Sequence, residues 1–336
     1  MIGYYAHHHG NGHLHRAEAV AAALDEPVTG LSSLPPPSGW RGDWVQLPRD
    51  DAEADPEDVT AGDQLHWVPV HESGLRARSA AISQWIDRAG PRLVVADVSV
   101  EFALLARLHG VPVVTVVLPG RRADPAHLLG FRASTALAAF SPVRPAELLP
   151  GVPEDVVQRV VAVGALSRFP ASDAPPVAGA DRRVLVLVGR GGSAMASLDV
   201  TRLEAATPGW TWARMGGPDE WVDDISTALR ETDVVVTNAG DGSLADVAAH
   251  RRPAVVVPAE RPFAEQHVTA SALGRHGWPA VVRPRLPAEH EWLGILDRAA
   301  ALDGGRWQAW CDGHAAERFA RLLVEVGADR RRRRSA

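Results

Sequence analysis

The apolar runs of this chain are continuous, where a half-exposed strand would alternate, and helical patterns separate them. In the first half they are Ile2–Ala6, Leu93–Asp97 and Val111–Leu118; in the second, Val184–Val188, Asp233–Thr237 and Ala254–Val257. A strand with no polar face needs cover on both sides, which points to parallel sheets flanked by helices, an α/β fold. His13–Leu24, Ser73–Ala89, Val100–His109 and Phe263–Leu273 read as helices, and Val28–Leu31 and Trp44–Leu47 as short strands. Phe169–Asp181 is Pro, Ala and Asp without periodicity and separates the two series. The expected organisation is a first domain over 1–167, a linker over 168–181 and a second domain over 182–328. A terminal helix is expected over Trp307–Val326. Residues 329–336, with Arg330–Arg334, read as a basic disordered tail. A solvated tail is the simple interpretation; peripheral contact with an anionic membrane face is the sharper one.

Composition narrows the chemistry. None of the 35 basic residues is lysine. That excludes pyridoxal-phosphate enzymes, Schiff-base aldolases and P-loop NTPases, each of which needs an amine at its centre. The single cysteine, Cys311, removes disulfides, Cys-rich zinc sites and iron–sulfur clusters. A formal charge of −6 argues against nucleic acid as a partner. No window approaches 18 apolar residues, and Met1–Gly12 has no apolar signal core, so a cytoplasmic location is expected.

Each half carries the strand, glycine turn and helix of a Rossmann-like unit, so two such domains facing a cleft are expected. The first turn is Gly10-Asn11-Gly12-His13-Leu14-His15-Arg16. Its glycines let backbone approach an anion or a sugar, and the helix amides behind them form an anion site. His15 stands at the third glycine position of a dinucleotide fingerprint, which argues against NAD. His13, in the first helical turn, suits a general base, against a structural turn as the plain alternative. His7-His8-His9 reads as a turn, since adjacent histidines seldom converge on one ion, and no metal is expected. Asp97 and Glu101 lie at the carboxyl edge of a buried strand, where they could orient His13 or act as base; helix capping by Asp97 or Ser99 competes. In the second half, Gly191-Gly192-Ser193 and Gly240-Asp241-Gly242-Ser243 open two helices, which fits a diphosphate better than one phosphate. Asp246 is spaced to reach a ribose hydroxyl, and Glu265 and Gln266 to reach sugar hydroxyls. Trp40, Trp44, Trp67 and Trp85 suggest an aromatic acceptor platform, with core packing the commoner explanation.

The stretches Asn238–Ala248, Arg252–Pro258 and Glu265–Ala270 resemble the donor-binding signature of GT-B glycosyltransferases of the family 28 type. That group includes the lipid-intermediate N-acetylglucosaminyltransferase of peptidoglycan synthesis. Gly10–His13 resembles its first glycine loop, and Val163–Arg168 its interdomain segment. The resemblance implies a nucleotide-sugar donor on the second domain and a hydroxyl acceptor, lipid-linked or a small natural product, on the first. By position it implies Asp246 at the ribose, Gly240, Gly242 and Ser243 at the diphosphate, Gln266 at the sugar and Arg168 at the base. Gly12 and Asn238 fall within the matching stretches. Asp246 replaces the customary Glu, Thr269 the customary Asn, and Asp241 sits inside the phosphate loop.

The expected activity is a metal-independent inverting transfer from a UDP- or TDP-sugar, without cofactor, with His13 as base. Asp-x-Asp is absent from the sequence, so helix amides and arginines would stabilise the leaving diphosphate. Two alternatives stay open: a nucleotide-sugar hydrolase using water, and a non-catalytic nucleotide-sugar-binding partner of a transferase. A related epimerase is the weaker third.

Overall fold

The computed structural model describes residues 1–8, 12–51, 55–173, 182–189, 194–217 and 224–334, with side chains to 328. Two parallel sheets organise them. The first has strands β1 (Ile2–Ala6), β2 (Val28–Ser32), β3 (Trp44–Gln46), β4 (Leu93–Asp97), β5 (Val113–Val116), β6 (Ala136–Ala139) and β7 (Val160–Ala162), in the order β3-β2-β1-β4-β5-β6-β7. The second has β8 (Arg182–Val188), β9 (Trp210–Gly216), β10 (Val234–Thr237), β11 (Ala254–Val256) and β12 (Ala280–Val282), ordered β12-β11-β10-β8-β9. β1, β2 and β4 are buried at every residue, which the continuous apolar runs of β1 and β4 require. The core strand runs fall where sequence patterning puts them, whereas β6, β7, β9 and β12 carry no clear run and were not expected.

The first sheet is flanked by α1 (Gly12–Ala22), α2 (Ser73–Ala89), α3 (Val100–Leu108), α4 (Pro125–Ala133), α5 (Pro145–Leu148) and α6 (Glu154–Val157). α7 (Val200–Ala206), α8 (Ser226–Arg230), α9 (Asp241–Ala249), α10 (Glu265–Arg275) and α11 (Trp292–Ala300) accompany the second. The last helix, α12 (Ala315–Arg334), returns to the first sheet. There Phe319 and Leu323 join one core cluster with Ile2, Tyr4, Val20 and Leu93. Arg318 Nε donates to the Val163 carbonyl at 2.7 Å, which anchors the crossing.

Two expectations need correction here. The tail is not irregular from residue 329, since α12 continues to Arg334. Arginine is a strong helix former, and a helix already nucleated propagates through it without apolar partners. Trp307–Val326 is also not one helix: a short 3-10 turn over Gly304–Ala309 ends before α12 begins at Ala315. It seats Trp307 under Arg252, whose carbonyl accepts from Trp307 Nε1 at 2.8 Å.

The halves share a continuous apolar seam. Val143, Leu148 and Leu149 of the first lie in one cluster with Ala245, Ala248 and Leu273 of the second. Above it, the Arg121 N–H donates to the Phe263 carbonyl at 2.7 Å. Among the described residues no helix is long and apolar enough to cross a membrane.

Candidate functional site

The carboxyl ends of β1 and β4 lie side by side, with Ala6 paired to Asp97. The chain leaves β4 through Val98, whose φ of 77° is strained for a β-branched residue. That kink leaves Ser99 to cap α3, accepting from the Phe102 N–H at 3.2 Å. The capping ambiguity between Asp97 and Ser99 is thereby resolved, and Asp97 is left to face Arg16, Tyr4 and His13. Its carboxylate is fully buried. Arg16 Nη1 donates to Oδ1 at 2.6 Å, and Tyr4 Oη donates to Oδ2 at 3.0 Å. His13 Nδ1 lies 3.0 Å from Oδ1, although the ring is rotated off a full hydrogen bond. Burial pushes the Asp97 carboxyl up, but Arg16, His13 and Tyr4 outweigh it and hold its pKa below the ordinary value.

Two separate cavities flank this pair, one lined by Arg16 and the other by His7 and Ser99. One, of about 510 Å³, is lined by Gly12, His15 and Arg16 of α1, Ser167 and Arg168, and Gly240, Gly242, Ser243 and Asp246 of the second domain. Helix α9 opens there with Gly240 as its N-cap, and among the described residues no side chain caps it, which leaves its first turn suited to an anion. The other, of about 540 Å³, belongs to the first domain and is lined by His7, His8, Asp50, His66, Trp67, Glu101 and a largely apolar wall from α2 and α3. His13 borders neither cavity and sits between them, its ring 6.2 Å from that of His7.

The remaining expected residues are placed as follows. Asp246 accepts from Ser167 Oγ at 2.8 Å and from Arg168 Nε at 3.0 Å, so both stand at the first cavity as a pair. Burial raises the Asp246 pKa, with Arg168 and Ser167 opposing. Asn238 instead ties two strand ends together, its Nδ2 donating to the Val257 carbonyl at 2.8 Å. Gln266 braces the following loop, accepting from the Ala259 N–H at 2.8 Å, and reaches the back of Gly240. Glu101 does not face His13. Its carboxylate accepts from the backbone N–H groups of His66 at 2.8 Å and Trp67 at 3.2 Å and lines the second cavity. This happens because loop 55–72, which no pattern placed, folds over the start of α3. Gly191, Gly192 and Ser193 lie outside the described residues. Of the four tryptophans only Trp67 lines the second cavity; Trp40 and Trp44 pack edge to face, and Trp85 abuts Gly3.

A polar cluster that sequence reasoning missed spans the domain seam. His66 Nε2 lies 3.1 Å and His127 Nδ1 2.6 Å from the two oxygens of Asp124, and Arg122 Nη1 donates to His127 Nε2 at 2.8 Å. Arg122 also reaches Glu265 at 3.4 Å and stacks over Phe263. Burial and then Arg122 lower the His127 pKa to about 4, so the ring is neutral at pH 7. Glu265 is raised to about 7, by burial and then by the Asp241 carboxylate, with Arg122 and Arg16 opposing. Asp241 is raised too, for burial, and faces Arg16, Arg122 and His13. The Asp124-Pro125 helix start was the one sequence cue to this cluster.

Residues 216–284 match the glycosyltransferase family 28 C-terminal domain. The fold matches the glycosyltransferase of kitacinnamycin at a TM-score of 0.64 and 16% identity, covering 97% of this chain and 98% of that one. MurG of Acinetobacter baumannii matches at a TM-score of 0.60 and 15% identity, covering 96% and 99%. The family match is confined to the second domain, and the whole chain has the GT-B fold of these glycosyltransferases. Spinosyn rhamnosyltransferase SpnG complexed with thymidine diphosphate matches at a TM-score of 0.61 and 16% identity, covering 97% of this chain and 100% of that one. No curated protein sequence matches this chain.

Proposed function

We propose that this protein is a glycosyltransferase, moving a sugar from a nucleoside-diphosphate donor in the interdomain cavity to a hydroxyl of an acceptor in the first-domain cavity and inverting the anomeric centre. The observation that carries this reading is the position of His13 between the two cavities, 3.0 Å from a buried, ionised Asp97. An ionised carboxylate only accepts hydrogen bonds, so it favours the tautomer with the proton on Nδ1 and leaves the Nε2 lone pair for the acceptor hydroxyl. The acceptor oxygen attacks the anomeric carbon as Nε2 takes its proton. The bond to the diphosphate breaks on the opposite face, through an oxocarbenium-like transition state. One direct displacement inverts the centre. The leaving diphosphate carries away the electron pair, and the first amides of α9 together with Arg122 and Arg16 receive the charge. These groups would let the reaction run without a metal.

The ribose falls to Asp246, with Arg168 beside it to meet the base. Fold neighbours determined with thymidine diphosphate, SsfS6 and SpnG, make a TDP-sugar the first donor to try. A dedicated apolar second cavity favours transfer over hydrolysis, because water needs no such space. The structure of SpnG with spinosyn aglycone makes a small aglycone the better acceptor class to test than a lipid-linked sugar. Calorimetry of the purified chain against TDP and UDP, then turnover of the matching sugar nucleotide by wild type and His13→Ala, tests the proposal. Selective nucleotide binding with turnover lost in His13→Ala is expected. A His13→Ala protein that turns over at the wild-type rate would falsify the mechanism.

A further inference from the structure

We propose that Asp50 makes the first-domain cavity selective for a compact apolar molecule bearing a hydroxyl or amine group, and against a carboxylate. The inference deepens the reading of that cavity as the acceptor site and rests on it. Its volume of about 540 Å³ lies within the span of about 300–1,000 Å³ that holds a drug-sized ligand. Leu75, Ile82, Phe102 and Leu105 give it an apolar wall.

Into that wall is set a carboxylate that the protein satisfies only in part. Asp50 is 7% exposed. Its Oδ2 faces Arg78 Nε at 3.5 Å, while Oδ1 has no hydrogen-bond partner among the described residues and lies 3.8 Å from His8 Nδ1. The neighbouring Asp51 is differently placed: Arg49 donates to it at 2.9 and 2.5 Å, and His8 Nε2 lies 3.3 Å away. Arg78 is itself held by Ser33, the Pro48 carbonyl and Tyr5 at 2.5–2.7 Å and cannot turn to Oδ1 without giving these up. A buried acceptor left unmatched is costly, so a ligand that brings an O–H or N–H to it gains more than one that merely fills space. A ligand carboxylate would instead meet Asp50, Asp51 and Glu101 in the same cavity.

The other occupant these residues could take is a divalent cation, since ligand atoms of His8, Asp50 and Asp51 lie within 4.8 Å of one another. Arg49 and Arg78 already bring positive charge to both carboxylates, which disfavours a metal and leaves room for one hydrogen-bond donor.

The probes are 2-naphthylmethanol, 2-naphthylmethylamine and 2-naphthoic acid, titrated by calorimetry into the full chain, with TDP as a control for the donor site. Wild type should bind the alcohol and the amine about tenfold or more tightly than the acid. Asp50→Asn should bring the amine and the acid to within about threefold of each other. Leu105→Trp should block all three probes, and both variants should bind TDP as wild type does. Equal binding of acid and amine by wild type, or an unchanged ratio in Asp50→Asn, overturns the assignment while TDP binding leaves the donor reading standing. Mn²⁺ binding that Asp50→Asn abolishes also overturns it, in favour of a metal site. Preserved probe selectivity in a chain that binds no nucleotide overturns the acceptor reading instead.

Discussion

Replacing Asp97 by Asn separates what this carboxylate does for folding from what it does for His13. The side chain is fully buried and serves three partners, Arg16, Tyr4 and His13. An amide of nearly the same shape removes the charge and strands the Arg16 guanidinium, itself almost wholly buried. Breaking a buried ion pair from one side costs about 3–5 kcal/mol. At roughly 2–4 °C per kcal/mol for a domain of this size, Tm should drop by roughly 6–20 °C. The catalytic loss has a different origin. Asn no longer selects the Nδ1-protonated tautomer, so much of the general-base contribution goes, about 10²–10⁴-fold or roughly 2.7–5.4 kcal/mol. His13→Ala should show the same catalytic loss with a Tm within a few degrees of wild type, because Asp97 keeps Arg16 and Tyr4. The double variant decides the matter. If Asp97 acts on catalysis through His13, then Asp97→Asn in the His13→Ala background costs almost nothing further in kcat, although its thermal penalty persists in full. Initial rates and scanning calorimetry on the four proteins give both cycles. Catalytic losses that add would refute the coupling and make Asp97 an independent participant.

Four further outcomes are expected. His127 is held near pKa 4 when folded, below its unfolded value of about 6.5, so its contribution to stability is complete above 6.5 and is lost as pH falls toward 4. The wild type minus His127→Gln difference in urea-unfolding free energy should therefore shrink by up to about 3 kcal/mol across that window; Glu265, raised to about 7, acts in the opposite sense and cancels from the difference. Asp246→Ala should raise the Kd for TDP about tenfold by calorimetry, and an unchanged Kd would remove it from the ribose. Gly120 has φ 135°, and a Cβ there would stand 2.8 Å from the Phe263 carbonyl oxygen; Gly120→Ala should pry the seam apart and lower kcat/KM while each half keeps its secondary structure by circular dichroism. Val98→Gly should relieve the strained turn, raising stability by about 1–3 kcal/mol while lowering kcat as Asp97 loses its fixed direction.

The sheets were legible where burial on both faces demanded unbroken apolar runs, as in Leu93–Asp97 and Val184–Val188. β9 was not, because Trp210–Gly216 alternates buried and exposed residues and carries Arg214. β6 and β7 are only four and three residues long, too short for any period to show. At the site, His13 and Asp97 could be picked out because each stands at a strand end or the first turn of the following helix. Which of them Glu101 would join was settled by a long-range contact with loop 55–72, and nothing local encodes that. Asp50, His66 and Asp124 come from segments without periodicity, so the first-domain cavity and the seam cluster had no signature along the chain. Asn238 and Gln266 carry a second task that their spacing does not show: the Asn238 Nδ2 and the Gln266 Oε1 hold the loops that shape the cleft.

Because α12 closes the core of the first sheet, the halves of this chain are not interchangeable parts cut at one point. Residues 1–173 made alone would lack Phe319 and Leu323 and would bare the face of Ile2, Val20 and Leu93 that they cover. A hybrid with a relative's donor-binding half must therefore have two junctions, one in the connection after Phe169 and a second just before Ala315, so that the closing helix travels with the sheet it was shaped to fit. Supplied as a separate peptide, the same helix should restore a truncated chain, which makes this fold a natural split protein.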